Sequence, residues 1–198
     1  MDLRLTLTER MLGTASGNPE IHRDYIASKG PAPEEEVEAI PPELEKTMTV
    51  FPRTENGQPF VWDYQVKGFL KDACSMLRRV PDSLTAKEST KKGGLLKAYK
   101  KVIDGLIFVH PRKIVPVLPE GGKIEEYERP LRGQTAQGER IALAHSETIP
   151  AGTTLDLAIE VLNPALEPVV REWLDYGALR GLGQWRNASW GRFDWEER

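Results

Sequence analysis

Cysteine is nearly missing: Cys74 is the single one in 198 residues. An internal disulfide is therefore excluded, and no zinc or redox spacing is possible. Histidine is scarce as well, with only His22, His110 and His145. No apolar run approaches the roughly 18 residues that a membrane span needs. The opening Met1-Asp2-Leu3-Arg4-Leu5-Thr6-Leu7 alternates polar and apolar residues and lacks the apolar centre of a signal peptide. These absences lead us to expect a cytoplasmic protein with no membrane partner. A large charge of one sign is also lacking. Lys and Arg number 27 against 30 Asp and Glu, a net of −3, so the chain as a whole offers no argument for nucleic acid. What is present is 39% hydrophobic and 29% charged residues. That suffices for a core and excludes collagen-like and wholly disordered classes. The length fits one domain, expected to carry insertions at about residues 14–50 and 80–101.

The charges are unevenly spread. Glu34, Glu35, Glu36, Glu38, Glu43 and Glu45 fall within twelve residues beside several prolines. This reads as an exposed acidic segment, either plainly solvated or a docking surface for a basic partner. From Lys67 to Lys101 the balance reverses, with ten basic residues against three acidic ones. Clustered Lys and Arg are the footprint of a phosphate backbone, although a solvated surface has the same composition.

Periodicity gives a mixed α+β reading. Residues 2–8 and 154–162 alternate apolar and polar, as half-buried strands do. Residues 14–35 read as a long loop, and Phe60-Val61-Trp62 as a short strand after a turn. Val66, Phe69, Leu70, Ala73 and Leu77 recur at helical spacing, which predicts a helix over 65–79 that stops before Pro81. Residues 83–94 read as flexible. Leu106–Val109 is a buried strand, and 113–117 an edge strand marked by Pro116. Residues 125–131 and 141–147 form a hairpin around Gly133–Gly138. Asn163-Pro164 opens a helix through about Leu179, and 192–195 is a closing strand. Without the insertions, the order is β-α-β-β-α-β. It predicts an antiparallel sheet with two helices on one face, a ferredoxin-like or RRM-like core. In folds of this shape the open sheet face is the usual platform for single-stranded RNA.

Residues 177–193 are the most informative stretch. They hold four glycines, three arginines and two tryptophans in seventeen residues. Gly181 and Gly183 permit positive φ and close backbone approach, and successive amides form an anion-binding concavity. Arg180, Arg186 and Arg192 offer planar donors that suit phosphate, and Trp185 and Trp190 offer rings for base stacking. A plainer alternative is that the glycines end a helix and the tryptophans fill the core. The stretch follows a helix and precedes a strand, so it is not a dinucleotide fingerprint, and no Gly-Lys-Ser/Thr makes it a P-loop.

This loop resembles that of the RAMP superfamily, the RNA-binding backbone and processing subunits of CRISPR effector complexes. Gly181-Leu182-Gly183-Gln184-Trp185-Arg186 and Ser189-Trp190-Gly191-Arg192-Phe193 are similar to the family's glycine-rich loop and the strand after it. Glu147-Thr148-Ile149-Pro150-Ala151-Gly152-Thr153 is similar to its entry into an alternating strand. Gly57-Gln58-Pro59-Phe60-Val61 and Val66-Lys67-Gly68-Phe69-Leu70 resemble its turn, strand and Lys-Gly-opened first helix. The three matches occur in the family's order. One departure is Tyr64-Gln65, which stands where the family usually has a Ser-Ser pair. Residues 80–101 correspond by position to the family's variable insertion.

The resemblance implies a type III-like, noncatalytic backbone subunit. Guide RNA would be held by Lys67, Lys71, Lys91, Lys92, Arg180, Gly181, Gly183, Trp185, Arg186, Trp190 and Arg192. Its implied partners are single-stranded guide RNA and other effector subunits, with self-assembly along the RNA. Some members of the family cut RNA, so an endonuclease is the alternative. His22 and Asp24 are its candidates, Asp24 being the sole aspartate between residues 3 and 60. Magnesium is implied only if Asp24 is catalytic, and no other cofactor or metal is expected. A third class is a stand-alone interaction module that has kept this fold.

Overall fold

The computed structural model describes residues 1–18, 20, 48–135 and 138–198, with side chains left aside for 131–142. The acidic segment at 34–45, and with it His22 and Asp24, lies outside the described residues.

Leu3, Leu5 and Leu7 are at most 1% exposed, while Arg4 and Thr6 between them are partly exposed. This period of two makes the first strand, β1 (Asp2–Leu7). Short strands β2 (Met11–Leu12), β3 (Ala15–Ser16), β4 (Thr49–Val50) and β5 (Val61–Trp62) precede helix α1 (Asp63–Leu77). Then come α2 (Leu84–Thr90), α3 (Tyr99–Leu106), β6 (Ile107–His110) and β7 (Lys113–Ile114). A long hairpin, β8 (Glu125–Thr135) and β9 (Gly138–Ile149), leads to β10 (Thr154–Val161). Helices α4 (Glu167–Asp175) and α5 (Gly177–Arg180) and strand β11 (Phe193–Glu197) close the chain.

The main sheet has the order β11-β1-β10-β6, and every pairing in it is antiparallel. β10 lies between β1 and β6, which α1 connects, and β1 lies between β10 and β11, which α4 connects. This is the interleaved β-α-β-β-α-β pattern expected from the sequence. α1 buries Val66, Phe69, Leu70, Ala73 and Cys74, and α4 buries Val169, Val170, Trp173 and Leu174. Both sets join the sheet leucines in one apolar cluster. Each fully buried Leu, Val or Phe of such a cluster contributes about 1.5–3 kcal/mol.

A second sheet has the order β2-β9-β4-β3, with β8 paired along β9, and β5 and β7 form a separate antiparallel pair. Strand β9 carries the buried carboxylate of Glu147. Glu147 accepts from Arg53, and its other oxygen takes the Phe51 N–H at 2.8 Å. The hairpin read at 125–147 is therefore present, while residues 15–16, read as loop, pair with β4.

Three local readings need correction. Residues 83–94 are not a flexible stretch throughout, because 84–90 form α2. The Ser83 hydroxyl accepts from the Ala86 N–H at 2.9 Å, and the Glu172 carboxylate accepts the Leu84 and Thr85 N–H groups at 2.8 and 2.9 Å. The Trp173 indole then donates to the Thr85 hydroxyl at 2.9 Å. These partners lie some ninety residues away, so local composition does not reveal them. The helix read through Leu179 is broken into a short 3-10 turn, α4 and α5. The strand read at 113–117 shortens to β7, with only Val117 bridging Thr154 beyond it.

The open face of the main sheet also differs from an RNA platform. By alternation it carries Asp2, Asp156, Glu160, Asp194 and Glu196 against Arg4 and Arg198. Asp156 accepts from Arg4 at 2.7 and 2.8 Å and from Arg198 at 2.9 Å. A face dominated by carboxylates repels a phosphate chain.

Candidate nucleic-acid interface

The loop after α5 is built around two glycines that no other residue can replace without movement. Gly181 (φ +77°) and Gly191 (φ +72°) lie in the left-handed region and pack against each other's strands. A Cβ on Gly181 would stand 2.5 Å from the Trp190 carbonyl oxygen, and one on Gly191 would collide with that of Leu182. The Leu182 N–H donates to the Gly191 carbonyl at 2.7 Å, and the Gly191 N–H to that of Arg10 at 2.7 Å. Leu182 itself is 2% exposed in the main core. The loop is thus a fixed structure, pinned at both ends. Within it Trp185 (φ 52°) and Ser189 (φ 72°) also adopt left-handed backbone on either side of a 3-10 turn at Arg186–Ala188. Non-glycine residues there cost about 1–3 kcal/mol each, and such strain concentrates at functional sites.

Two loop arginines converge on one carboxylate. Arg180 Nε and Arg186 Nη1 both donate to Asp72 Oδ2 of α1 at 2.9 Å, and Arg180 also donates to the Asn187 side chain at 2.7 Å. Their side chains remain 27% and 28% exposed. Two guanidinium groups on one carboxylate leave one net positive charge, already oriented. Arg192 turns aside and donates to the Leu179 carbonyl at 3.1 Å.

The two tryptophans form a surface cluster. Trp185, 39% exposed, stacks on Trp190 with ring centroids 5.9 Å apart and planes 21° from parallel. Tyr127 of β8 lies 4.7 Å from Trp190, and the Arg129 guanidinium covers Trp185 at 4.2 Å. Nε and Nη1 of Arg129 are buried with no hydrogen-bond partner.

Between the loop and the first turns of α1 runs a groove of about 490 Å³, with Gly183 and Arg186 on one side and Trp62, Tyr64 and Gly68 on the other. The Gln65 side chain caps the helix here, accepting the Trp62 N–H at 3.0 Å and donating to the Thr14 hydroxyl.

No protein-family model matches the chain, and no curated protein matches it by sequence. Solved structures do match. Cmr6 from Pyrococcus furiosus aligns with 98% of this chain and 97% of its own at 11% identity, with a TM-score of 0.54. The chain shares that fold. A chain of the type III-B Cmr-beta complex bound to cognate target RNA aligns with 99% of this chain at 10% identity and a TM-score of 0.51. The present chain spans 58% of that relative's length. A chain of the type IV-B CRISPR complex aligns at 14% identity over 98% of this chain and 88% of its own, with a TM-score of 0.48. The likeness to the first two is therefore one of fold.

The residues assigned from the sequence do not all meet. Arg180, Gly181, Gly183, Trp185, Arg186 and Trp190 gather around the loop. Lys67 and Lys71 turn toward α3 instead. Lys71 Nζ lies 2.5 Å from Asp104 Oδ1, and Lys67 Nζ donates to the Asp104 carbonyl at 3.2 Å and sits 4.8 Å from the Phe108 ring centroid. Burial there pulls the Lys67 pKa below its ordinary value. Lys91 pairs with Glu88 at the end of α2, and Lys92 is exposed beside it.

Asp72, Tyr127 and Arg129 were not among the sequence candidates. Asp72 was visible only as an acid within the basic stretch, and Tyr127 and Arg129 reach the loop from a hairpin more than fifty residues earlier. Among the described residues, no group of three or more His, Cys, Asp or Glu is placed to hold a metal ion. Cys74 is buried, and its thiol is pushed up to about 12, so it is no nucleophile at neutral pH.

Proposed function

We propose that this chain is an RNA-binding, noncatalytic subunit of a CRISPR ribonucleoprotein effector complex, holding guide RNA along the glycine loop. The observation that carries this reading is the clamped arginine pair. Arg180 and Arg186 are fixed by Asp72 and about a quarter exposed, and Arg186 lines the open groove in the same loop as the tryptophan stack. Preorganised planar donors beside aromatic rings suit a single strand's phosphates and bases. The fold supports the same reading, since the matching proteins are a Cmr protein and a chain of an RNA-bound type III-B complex. Lys67, Lys71, Lys91 and Lys92 then extend the positive field at a distance rather than gripping the same phosphates.

Tagged protein purified together with the other subunits of its native complex tests this. A defined small RNA, recovered by extraction and sequencing, is the expected result, and RNA-free complex contradicts it. Assembly along the strand belongs to the same reading. Light scattering on a long single-stranded RNA is expected to show several copies per strand, and a strict one-to-one complex sinks that part.

A further inference from the structure

The groove between α1 and the loop has features that phosphate binding does not use. Gly68 sits in the middle of α1, where glycine costs about 0.5–1 kcal/mol relative to alanine. Packing does not require it, because a Cβ there would meet no atom within 4 Å. The missing side chain instead leaves the groove open down to the helix backbone. Trp62, 1% exposed, forms part of the wall, and its indole Nε1–H is buried without an acceptor. The Trp62 and Tyr64 rings stack on each other, 5.8 Å apart and 17° from parallel, so the partly exposed Tyr64 ring, backed by Trp62, gives this side of the groove its aromatic surface. Arg186 brings a cation to the same groove. A ligand with a flat ring and a nearby anion fits these features. The volume of about 490 Å³ lies within the usual range for small-ligand sites.

We propose that this groove receives one unstacked nucleobase of the bound RNA strand, while Arg186 faces that nucleotide's phosphate. This rests on the RNA-binding reading above and adds a base site to it.

The test compares two single-stranded oligomers of equal length at fixed salt, one of uridines and one with the same ribose-phosphate chain lacking bases. Fluorescence anisotropy is expected to show the uridine oligomer binding wild-type protein roughly tenfold tighter, within what one base–aromatic stack contributes. Gly68→Leu, which fills the groove, is expected to remove most of that margin. Crosslinking with 5-iodouridine is expected to label Tyr64. If neither oligomer binds, the RNA-binding reading fails and the base site fails with it. If both bind wild type equally, RNA binding stands and the base site alone is wrong. A margin that survives Gly68→Leu in a protein of unchanged melting temperature also overturns it. Should Gly68→Leu melt early, Tyr64→Ala carries the same comparison, with retention of the margin again the contrary result.

Discussion

Asp72 places the two arginines, and its charge opposes the phosphates they would meet. Asp72→Asn keeps the size of the side chain and raises the local net charge by one. RNA affinity at low salt is expected to rise about threefold, with a steeper salt dependence. A drop in affinity would mean that orientation by the carboxylate matters more than its charge. On the open sheet face, hydrogen bonds from Arg4 hold the Asp156 carboxyl below its ordinary pKa. A depressed carboxylate pKa contributes stability that is complete above its unfolded value, about 3.9, and is lost as pH falls through the folded one. The stability gap between wild type and Asp156→Asn, read from urea midpoints, is therefore expected to narrow below about pH 4. A constant gap would contradict the linkage. Arg180, Arg186, Trp185 and Trp190 were legible as neighbours because they are close in the chain, whereas Arg192 turns aside to the Leu179 carbonyl. Asp72 and Arg129 stayed hidden, because their role exists only once a helix and a hairpin are folded against that loop.

Elements with strong periodicity were legible at the sequence level. β1 and β10 alternate along their whole length, and α1 keeps its apolar residues at spacings of three and four. α2 was not legible, because its Ser- and Thr-rich sequence is a weak helix former and its first turn depends on Glu172 and Trp173 of α4. Glu172→Ala leaves the Leu84 and Thr85 amides without their acceptor. A loss of about 1–3 kcal/mol is expected, with faster tryptic cleavage at Lys87 and Lys91. Unchanged cleavage would show that α2 holds without this cap. The loop has a matching test in Gly191→Ala, whose Cβ collides with the Leu182 carbonyl in a backbone region that alanine rarely adopts. About 2–3 kcal/mol of destabilisation is expected in thermal melts, and a neutral effect would mean that the loop is not pinned as described.

Across the whole molecule, one core joins the helices to one face of the main sheet and leaves the other face acidic. The order of elements announced this sheet, but the sign of its open face depended on which residues alternate outward in four separate strands. In the proposed reading, RNA is thereby directed away from the sheet and toward the helix-and-loop side. The central claim is that Arg180 and Arg186 grip a ribose-phosphate chain there. The direct measurement is the affinity of a single-stranded RNA oligomer from 50 to 300 mM salt, for wild type and for the Arg180→Ala/Arg186→Ala double variant. The account predicts a loss of at least tenfold at low salt and a slope of log affinity against log salt that is shallower by about 1. Equal affinity and equal slope in a folded double variant would contradict it.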